Sequence, residues 1–448
     1  MVWFGMQEEV YMKRDVFQVL LAVILSALLF PEKGLAGSEM AVGIPSQTST
    51  AAQGMAGFGL LDDDFYMNLA IGTQFKTGLW AIGVQIPLRV RLLDLGETDG
   101  DGIKIREEDW DEWQEWTRII RFVQYSQRGA PFHFRAGELV ATTIGHGTIV
   151  HRYYNTLDIN HYRPGLFTSF DLEQGGGELL INDVLGPNLI GSRGYVRPFA
   201  FFEDQHHLLK AITVGVSLAA DIDAPVDYVL DETTGDKQID DDGNLLYKSE
   251  FAALWGLDIG WEVIRTAKFD LTPYMDFNFL GGATGFGWHP GIMTVFRPME
   301  KTQIEARLEY RLLTARYAPT YFNTLYDFEK FNTFDDGLLP WKHWTSGDDL
   351  EMRHGFFGEV YAVLFGAVGV GGIYEDYQGE DNSNVLLRAD LPYIKDFKLA
   401  GYYTKRNFEG FSELFELDGA LLVGELRMKI NELFFVYGTY SRRWELIT

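Results

Sequence analysis

The stretch QIEARLEYRL, residues 303–312, alternates polar and apolar residues without a break. Successive side chains of a β-strand point to opposite faces, so one face of such a strand would carry only charged residues. These residues are Glu305, Arg307, Glu309 and Arg311. The other face would be almost entirely hydrocarbon. The stretch therefore predicts a strand that separates water from an apolar phase.

The same alternation recurs in two other segments. In Val84–Leu92 the odd-numbered residues include two arginines, whereas the even-numbered residues are all Val, Ile or Leu. In Phe269–Phe279 five Phe, Leu and Met residues oppose Asp, Thr, Tyr, Asp and Asn. An ordinary half-buried strand also shows this pattern. Segments of about ten residues with one face for lipid and one for water are, however, what a transmembrane β-barrel requires.

The rest of the chain contains further short segments of this kind between compact turns that carry Gly, Pro or Asn. We predict an all-β fold, a transmembrane antiparallel up-and-down β-barrel of about 18 strands (roughly 16 to 20) with long loops. Four connections are long, at residues 94–115, 141–165, 220–252 and 316–354. A barrel of this size leaves an aqueous channel unless something fills it.

The first predicted strand, which starts at Phe65, raises a problem of direction. If the turn at residues 76–78 is periplasmic, this strand starts outside, although a cleaved N-terminus is expected inside. A missed strand near Gly57–Leu61 would solve the problem. A miscounted pair, or long segments that lie in the periplasm or the lumen, would solve it as well.

The N-terminus has the pattern of an export signal. The apolar run Val16–Phe30 follows Lys13 and Arg14 and precedes Gly34-Leu35-Ala36, which offers small residues for cleavage. We predict a signal peptide at residues 1–36, a flexible tail at 37–60 and the barrel at 61–448. An uncleaved anchor helix is the alternative, but the run is short for crossing a bilayer.

Composition limits the classes of function. The chain has no cysteine, which excludes disulfides and thiolate sites, and its formal net charge of −26 argues against nucleic-acid binding. Three histidines, His146, His151 and His161, lie close together, but a spacing of five does not place two ligands on one face. The acidic stretches Asp99–Gly102 and Asp240–Asn244 do not complete a calcium loop. We therefore predict neither metal nor cofactor, although acidic loops bridged to lipopolysaccharide by divalent ions remain an alternative.

Two sets of residues are candidates for a pore. The first consists of charged residues on the polar face of their strands, which would line the lumen and act on dipolar or charged solutes. It comprises Arg89, Arg91, Arg135, Arg197, Asp270, Asp276, Glu305, Arg307, Glu309, Arg311, Arg388 and Arg427. The second is a constriction loop folded inward, comprising His146, His151, Arg152, Tyr153, Tyr154 and Asn155. The alternatives are a salt-bridged interior that only fills the barrel and an external loop packed on its own rim.

Taken together, these features resemble bacterial outer-membrane β-barrels of porin type, and Gly137–Asn155 is similar to a stretch of uncharacterised porin-like proteins. The resemblance implies a channel, not an enzyme, through which small polar solutes diffuse passively across the bacterial outer membrane. It implies outer-membrane lipids and lipopolysaccharide as neighbours, and a monomer or a homotrimer. The alternatives are a non-conducting structural or adhesion barrel with acidic binding loops and an outer-membrane lipid hydrolase that uses His161.

Overall fold

The computed structural model describes most of the chain after residue 50. The described residues are 51–61, 64–93, 103–106, 109–110, 115–156, 163–231, 233, 235–238, 246–281, 285–334, 337–346, 351–379, 382–391, 396–410, 412–416, 420–430 and 434–442. The predicted signal peptide, residues 37–50 of the predicted tail, His161 and both acidic stretches lie outside them.

Strands dominate the described part of the chain. They are β1 (Ala51–Leu61), β2 (Asp64–Thr77), β3 (Trp80–Leu93), β4 (Lys104–Ile105), β5 (Ile120–Tyr125), β6 (Phe132–Gly137), β7 (Gly165–Leu172), β8 (Gly175–Ile181), β9 (Leu189–Val196), β10 (Ile212–Tyr228), β11 (Tyr247–Trp261), β12 (Ile264–Arg265), β13 (Phe269–Leu280), β14 (Gly285–Met299), β15 (Thr302–Thr314), β16 (Met352–Leu364), β17 (Val368–Tyr377), β18 (Ser383–Asp390), β19 (Phe397–Phe408), β20 (Ala420–Lys429) and β21 (Phe434–Arg442). The helices are short, namely His207–Lys210, Tyr326–Glu329 and Pro340–Thr345, with 3-10 turns at Glu115–Ile119, Pro198–Phe201 and Glu413–Phe415. Among the described residues, no helix is long and apolar enough to cross a membrane.

The strands form one sheet whose pairings run in a full circle. Each strand pairs antiparallel with the next, except that β3 pairs with β5 and β11 with β13, while the two-residue strands β4 and β12 lie alongside the ring. Of the 21 strands, 19 therefore make up the ring. Strand β1 pairs with β21 in parallel, which closes the ring. With an odd number of alternating strands, the first and the last must run in the same direction, so one pair departs from the antiparallel pattern.

All of strand β1 except Leu61 lies within the segment assigned above to a flexible tail, residues 37–60. Its sequence, AAQGMAGFGLL, contains so much Gly and Ala that the alternation of hydrophobicity is weak. Paired with β2 along its whole length, it starts the barrel at Ala51 rather than at residue 61. This extra strand solves the problem of direction at Phe65. Each of the other ring strands overlaps a predicted one.

All four long connections leave the same rim of the barrel. They follow β3, β6, β10 and β15, and strand direction alternates around the ring, so these four strands end at one edge. The opposite edge carries the compact turns, such as Lys301 between β14 and β15. We call the two edges the loop rim and the turn rim. In outer-membrane barrels, long loops face outward and short turns face the periplasm.

The two faces of the sheet differ as the alternation requires. On β15, Leu308 is 61% exposed on the outside, while Arg307 and Glu309 are 5% and 0% exposed on the inside. Apolar side chains such as Val216 on β10 and Phe356 on β16 extend this exposed outer belt around the ring. A closed sheet with an apolar outside and a polar inside satisfies its backbone hydrogen bonds within lipid. The chain is a transmembrane β-barrel.

Candidate functional site in the lumen

The connection between β6 and β7 folds into the lumen as a segment that we call the first inward segment, residues 138–156. Asn155 fastens its base. The Asn155 side chain accepts a hydrogen bond from the Leu139 amide (2.7 Å) and donates to the carbonyls of Gly137 (3.1 Å) and Asn182 (3.0 Å). Thr142 and Tyr153 exchange backbone hydrogen bonds of 2.9 and 2.8 Å. The segment is thus a closed loop with fixed ends.

The tip of the first inward segment is bound to the middle of β13. Asp276 accepts hydrogen bonds from the His146 ring (2.7 Å) and the Thr148 hydroxyl (2.6 Å). The ring of His146 also stacks on Tyr274, with centroids 4.3 Å apart. Gly147 has a positive φ of 82°, and a Cβ there would lie 2.8 Å from an Arg307 nitrogen. The glycine beside His146 therefore permits the close approach of the loop tip to the wall.

Two further residues bind the same segment to β16. The His151 ring lies 2.9 Å from a carboxylate oxygen of Glu359, and Arg152 donates to the other oxygen of that carboxylate. The Arg152 guanidinium also lies 3.4 Å from the centroid of the Tyr361 ring. Both anchors are far from their partners in sequence, so they fix the segment across the lumen rather than along its own rim.

The connection between β15 and β16 also folds inward, and we call residues 315–331 the second inward segment. A backbone bridge between Val150 and Phe322 joins the two inward segments. The Tyr153 hydroxyl donates to Asp327 (2.7 Å), and the Tyr326 hydroxyl donates to Asp221 of β10 (2.7 Å). Burial raises the pKa of Tyr153 well above its usual value, so its hydroxyl keeps the proton that it donates.

An apolar cluster fills the space between the inward segments and the wall nearest the loop rim. Its members include Val150, Tyr317 and Phe322 from the segments and Leu189 and Leu254 from the wall, each no more than 1% exposed. The inner face is therefore polar in the middle of the barrel and apolar near the loop rim. On this side the lumen is packed like a protein core.

The charges of β15 form the most buried part of the polar layer. Glu309 accepts hydrogen bonds from Arg311 (2.6 Å), Arg307 and the Tyr274 hydroxyl (2.5 Å). Arg311 also donates to Glu375 of β17 at 2.9 Å. The donors on Arg307, Arg311 and Tyr274 satisfy the hydrogen-bond acceptors of a carboxylate that has no access to water.

The other predicted pore-lining residues lie on the inner face but at different heights and with different partners. Arg89 pairs with Asp109 (3.2 Å), Arg135 donates to Gln124 (2.9 Å), Arg197 pairs with Asp171 (2.7 Å), Asp270 pairs with Arg297 (2.8 Å), Glu305 lies 3.8 Å from Arg152, and Arg388 donates to the hydroxyls of Tyr154 and Thr324 (both 3.0 Å). The strand register places Arg91 and Arg427 on the same inner face. Only some of the predicted residues therefore lie close to one another. They include Glu305 and Arg388 of the pore-lining set and Arg152 of the constriction loop.

Several important partners were not among the predicted residues. Asp258 of β11 holds Arg193 of β9 through two hydrogen bonds of 2.6 and 3.0 Å. Glu359, Glu375 and Asp221 anchor the inward segments or the β15 ladder. Each is an acidic residue at an inward position of its strand, and that signal was available. The sequence does not show which side chain each of them contacts. The partners are 64 to 208 residues apart in sequence, and the closure of the ring brings them together.

His146 and His151 each bind a carboxylate rather than each other. In the part of the chain that the structure describes, no group of three His, Asp or Glu side chains is placed to hold a metal ion. Their geometry is that of anchors for the first inward segment.

His151 should make the stability of the barrel depend on pH. Burial lowers the pKa of His151 from its ordinary value, although Glu359 opposes this effect, and Arg307 and Arg152 add to it. The unfolded chain therefore binds more protons below about pH 6.5, so the free energy of unfolding should fall as the pH decreases. We expect a lower heat-denaturation midpoint at about pH 5 than at about pH 7.5.

The exchange His151→Gln should reduce this difference between the two midpoints, whereas His206→Gln, on an exposed turn, should leave it unchanged. An equal difference in the wild type and in both variants would show that His151 does not cause the dependence of stability on pH.

Comparisons with known proteins give matches to solved structures alone. No protein-family model and no curated protein matches the sequence. The fold is that of an up-and-down β-barrel closed by the pairing of β1 with β21. A porin refined at 1.8 Å resolution is 11% identical with a TM-score of 0.33, and the match covers 88% of this chain and 99% of the porin.

Other solved structures give similar values. OccK9 (OpdG) of Pseudomonas aeruginosa is 9% identical with a TM-score of 0.31, over 88% of this chain and 92% of that protein. The siderophore receptor PirA from Acinetobacter baumannii is 8% identical with a TM-score of 0.33, over 85% of this chain and 66% of the receptor. At these TM-scores the likeness carries no argument about fold or function.

Proposed function

We propose that this protein is a channel of the bacterial outer membrane through which small polar solutes diffuse passively. One observation carries the proposal, namely that the inward segments cover one side of the inner wall, whereas accessible polar residues remain on the other side. On β11, β13 and β15, inward residues such as Asp258, Asp276 and Glu309 are at most 5% exposed beneath the inward segments. On β2, β3, β19 and β20, many inward residues are polar and half-buried or exposed. They include Asn68, Gln74, Lys76, Gln85, Arg91, Tyr402, Arg406 and Lys429.

We call the inner face of β2, β3, β19 and β20 the uncovered wall. A solute would pass along it. Polar side chains that remain accessible inside a barrel favour a water-filled path over a dry core. The first inward segment would then act as the constriction, because it crosses the lumen and narrows the path from the side of β13 and β16. The residues predicted to line the pore would act through the field between this segment and the uncovered wall.

Planar-bilayer recording tests the proposal directly. The purified barrel should give discrete current steps, and vesicles that contain it should swell in solutions of small sugars. A correctly folded barrel that inserts without conducting ions would overturn the proposal. Swelling also separates a path for solutes from a leak of ions alone.

The uncovered wall is rich in basic residues, which predicts the sign of the ion selectivity. Its accessible basic residues are Lys76 on β2, Arg91 on β3, Arg406 on β19 and Lys429 on β20. Arg427 and Lys398 are buried, and Lys398 pairs with Asp390 of the neighbouring strand β18 at 2.8 Å. Positive charge along a pore favours anions.

Reversing an accessible charge of this wall should therefore change the selectivity. In the variant Lys429→Glu, we expect the reversal potential in a KCl gradient to shift toward the value for cations. The variant Arg265→Glu removes a basic residue on the turn rim that is paired with Glu262, so it should shift the potential little. Equal shifts in both variants would show that the β20 wall does not line the path.

A non-conducting structural or adhesion barrel is the second candidate. The apolar cluster between the inward segments and the wall favours it, because a packed core of this kind stabilises a barrel without serving transport. Binding of lipopolysaccharide through acidic loops and assembly into a homotrimer remain predictions under either function. The absence of current and of sugar uptake from a folded barrel would favour this candidate.

A further inference from the structure

The outer surface of the barrel is interrupted by a groove of about 570 Å³ across β14 to β18. Its lining is almost entirely apolar and includes Ile292, Leu308, Tyr374 and Leu387. Strand register places these residues on the face opposite to Arg307 and Glu359, so the groove faces lipid rather than the lumen.

The groove follows two rows of paired residues across five strands. Leu308 of β15 pairs with Gly358 of β16, and Gly358 pairs with Tyr374 of β17. In the neighbouring row, Gly372 pairs with Leu387 of β18. Glycines therefore form the floor and large side chains the walls, since Leu308 is 61% and Tyr374 41% exposed. A Cβ placed on Gly358 would meet no atom within 4 Å.

The groove lies at the middle of its strands, and its length matches that of one lipid chain. Strands lie about 4.8 Å apart, so a groove from the first to the last of five strands is roughly 19 Å long. Strands of such barrels tilt by about 40° from the membrane normal, so a groove perpendicular to them rises roughly 12 Å. That is half of the apolar band of about 25 Å that surrounds an outer-membrane barrel.

We propose that the groove binds one acyl chain of a phospholipid. An unfilled groove within hydrocarbon would cost the packing contacts of its walls, so some apolar group must occupy it. A second copy of the barrel fits less well, because the groove involves 13 residues whereas a stable protein interface uses about 20 to 30 per partner. A groove for one chain also suits a phospholipid better than lipid A, whose several chains pack together on one headgroup.

Native mass spectrometry of the full-length barrel tests the proposal. The protein, extracted in mild detergent and incubated with phosphatidylethanolamine, should retain one phospholipid. The variant Gly358→Leu fills the groove and should lower the retained fraction at least about tenfold, with Gly358→Ala in between. The matched control is Gly194→Leu on β9, where register also directs the residue outward and a Cβ would again meet nothing within 4 Å.

Each alternative gives a distinct result. Equal retention by wild type, Gly358→Leu and Gly194→Leu would overturn the proposal. Retention of lipopolysaccharide instead of phosphatidylethanolamine would assign the groove to a chain of lipid A and also overturn the proposal. A change from oligomer to monomer in Gly358→Leu alone would show that a second copy covers the groove. None of these results depends on whether the lumen conducts, so this proposal and the proposed channel can fail independently.

Discussion

Replacement of residues 143–152 by an Asn-Gly turn should increase the single-channel conductance several-fold. Thr142 and Tyr153 form a hydrogen-bonded antiparallel pair, which a two-residue turn can close without moving the base of the loop. The deletion removes the part of the first inward segment that binds Asp276 and Glu359, and water would take its place. Because conductance rises with the open cross-section, the effect should be large.

A second loop offers a matched control for this deletion. Leu230 and Lys237 also form an antiparallel bridge, at the loop rim between β10 and β11. Replacement of residues 231–236 by the same turn shortens the chain by four residues, against eight in the first deletion, and leaves the anchors on Asp276 and Glu359 in place. We expect its conductance to equal that of the wild type. Equal conductance in both deletions and the wild type would show that the first inward segment lies outside the path of the ions.

The variant Glu309→Leu should cause a large loss of stability. The carboxylate is fully buried and is shared by Arg307, Arg311 and Tyr274. Its removal leaves Arg307 buried without its principal counter-charge, and breaking a buried pair in this way costs about 3–5 kcal/mol. The urea midpoint of the barrel in vesicles, followed by tryptophan fluorescence, measures the loss.

Glu305 on the same strand provides the control. Its side chain is 48% exposed and lies 3.8 Å from Arg152, so Glu305→Leu should cost only about 0–1 kcal/mol. The two variants remove the same group four residues apart on the same face of β15. If both had the same urea midpoint, the buried ladder would contribute nothing specific to the barrel.

Much of the fold could be predicted from the sequence because lipid constrains every second residue of a strand. The alternation in β3, β13 and β15 survives in the structure with the predicted faces. It fails for β1, where Ala and Gly contribute so little hydrophobicity that the two faces look alike. Because β1 is the one ring strand that the sequence did not predict, the predicted count was about 18 and the ring has 19 strands.

The candidate site was less predictable, for a different physical reason. Local patterning shows that Arg307 or Asp276 points inward, but not which group it meets. The partners of His146 and His151 are 130 and 208 residues away, and the closure of the ring brings them together. Inward-folded and rim-packed loops have the same composition, so sequence alone left both open for Gly145–Asn155.

Cysteine scanning of β15 tests the central claim, which is that alternate residues face lipid and the lumen. The chain contains no cysteine, so single substitutions at residues 303–312 can carry a spin label without other changes. In vesicles, labels at the even positions should be accessible to oxygen dissolved in the lipid. Labels at the odd positions should be shielded from it. A pattern without a two-residue period, or access of a water-soluble relaxation agent to the even positions, would contradict the transmembrane barrel.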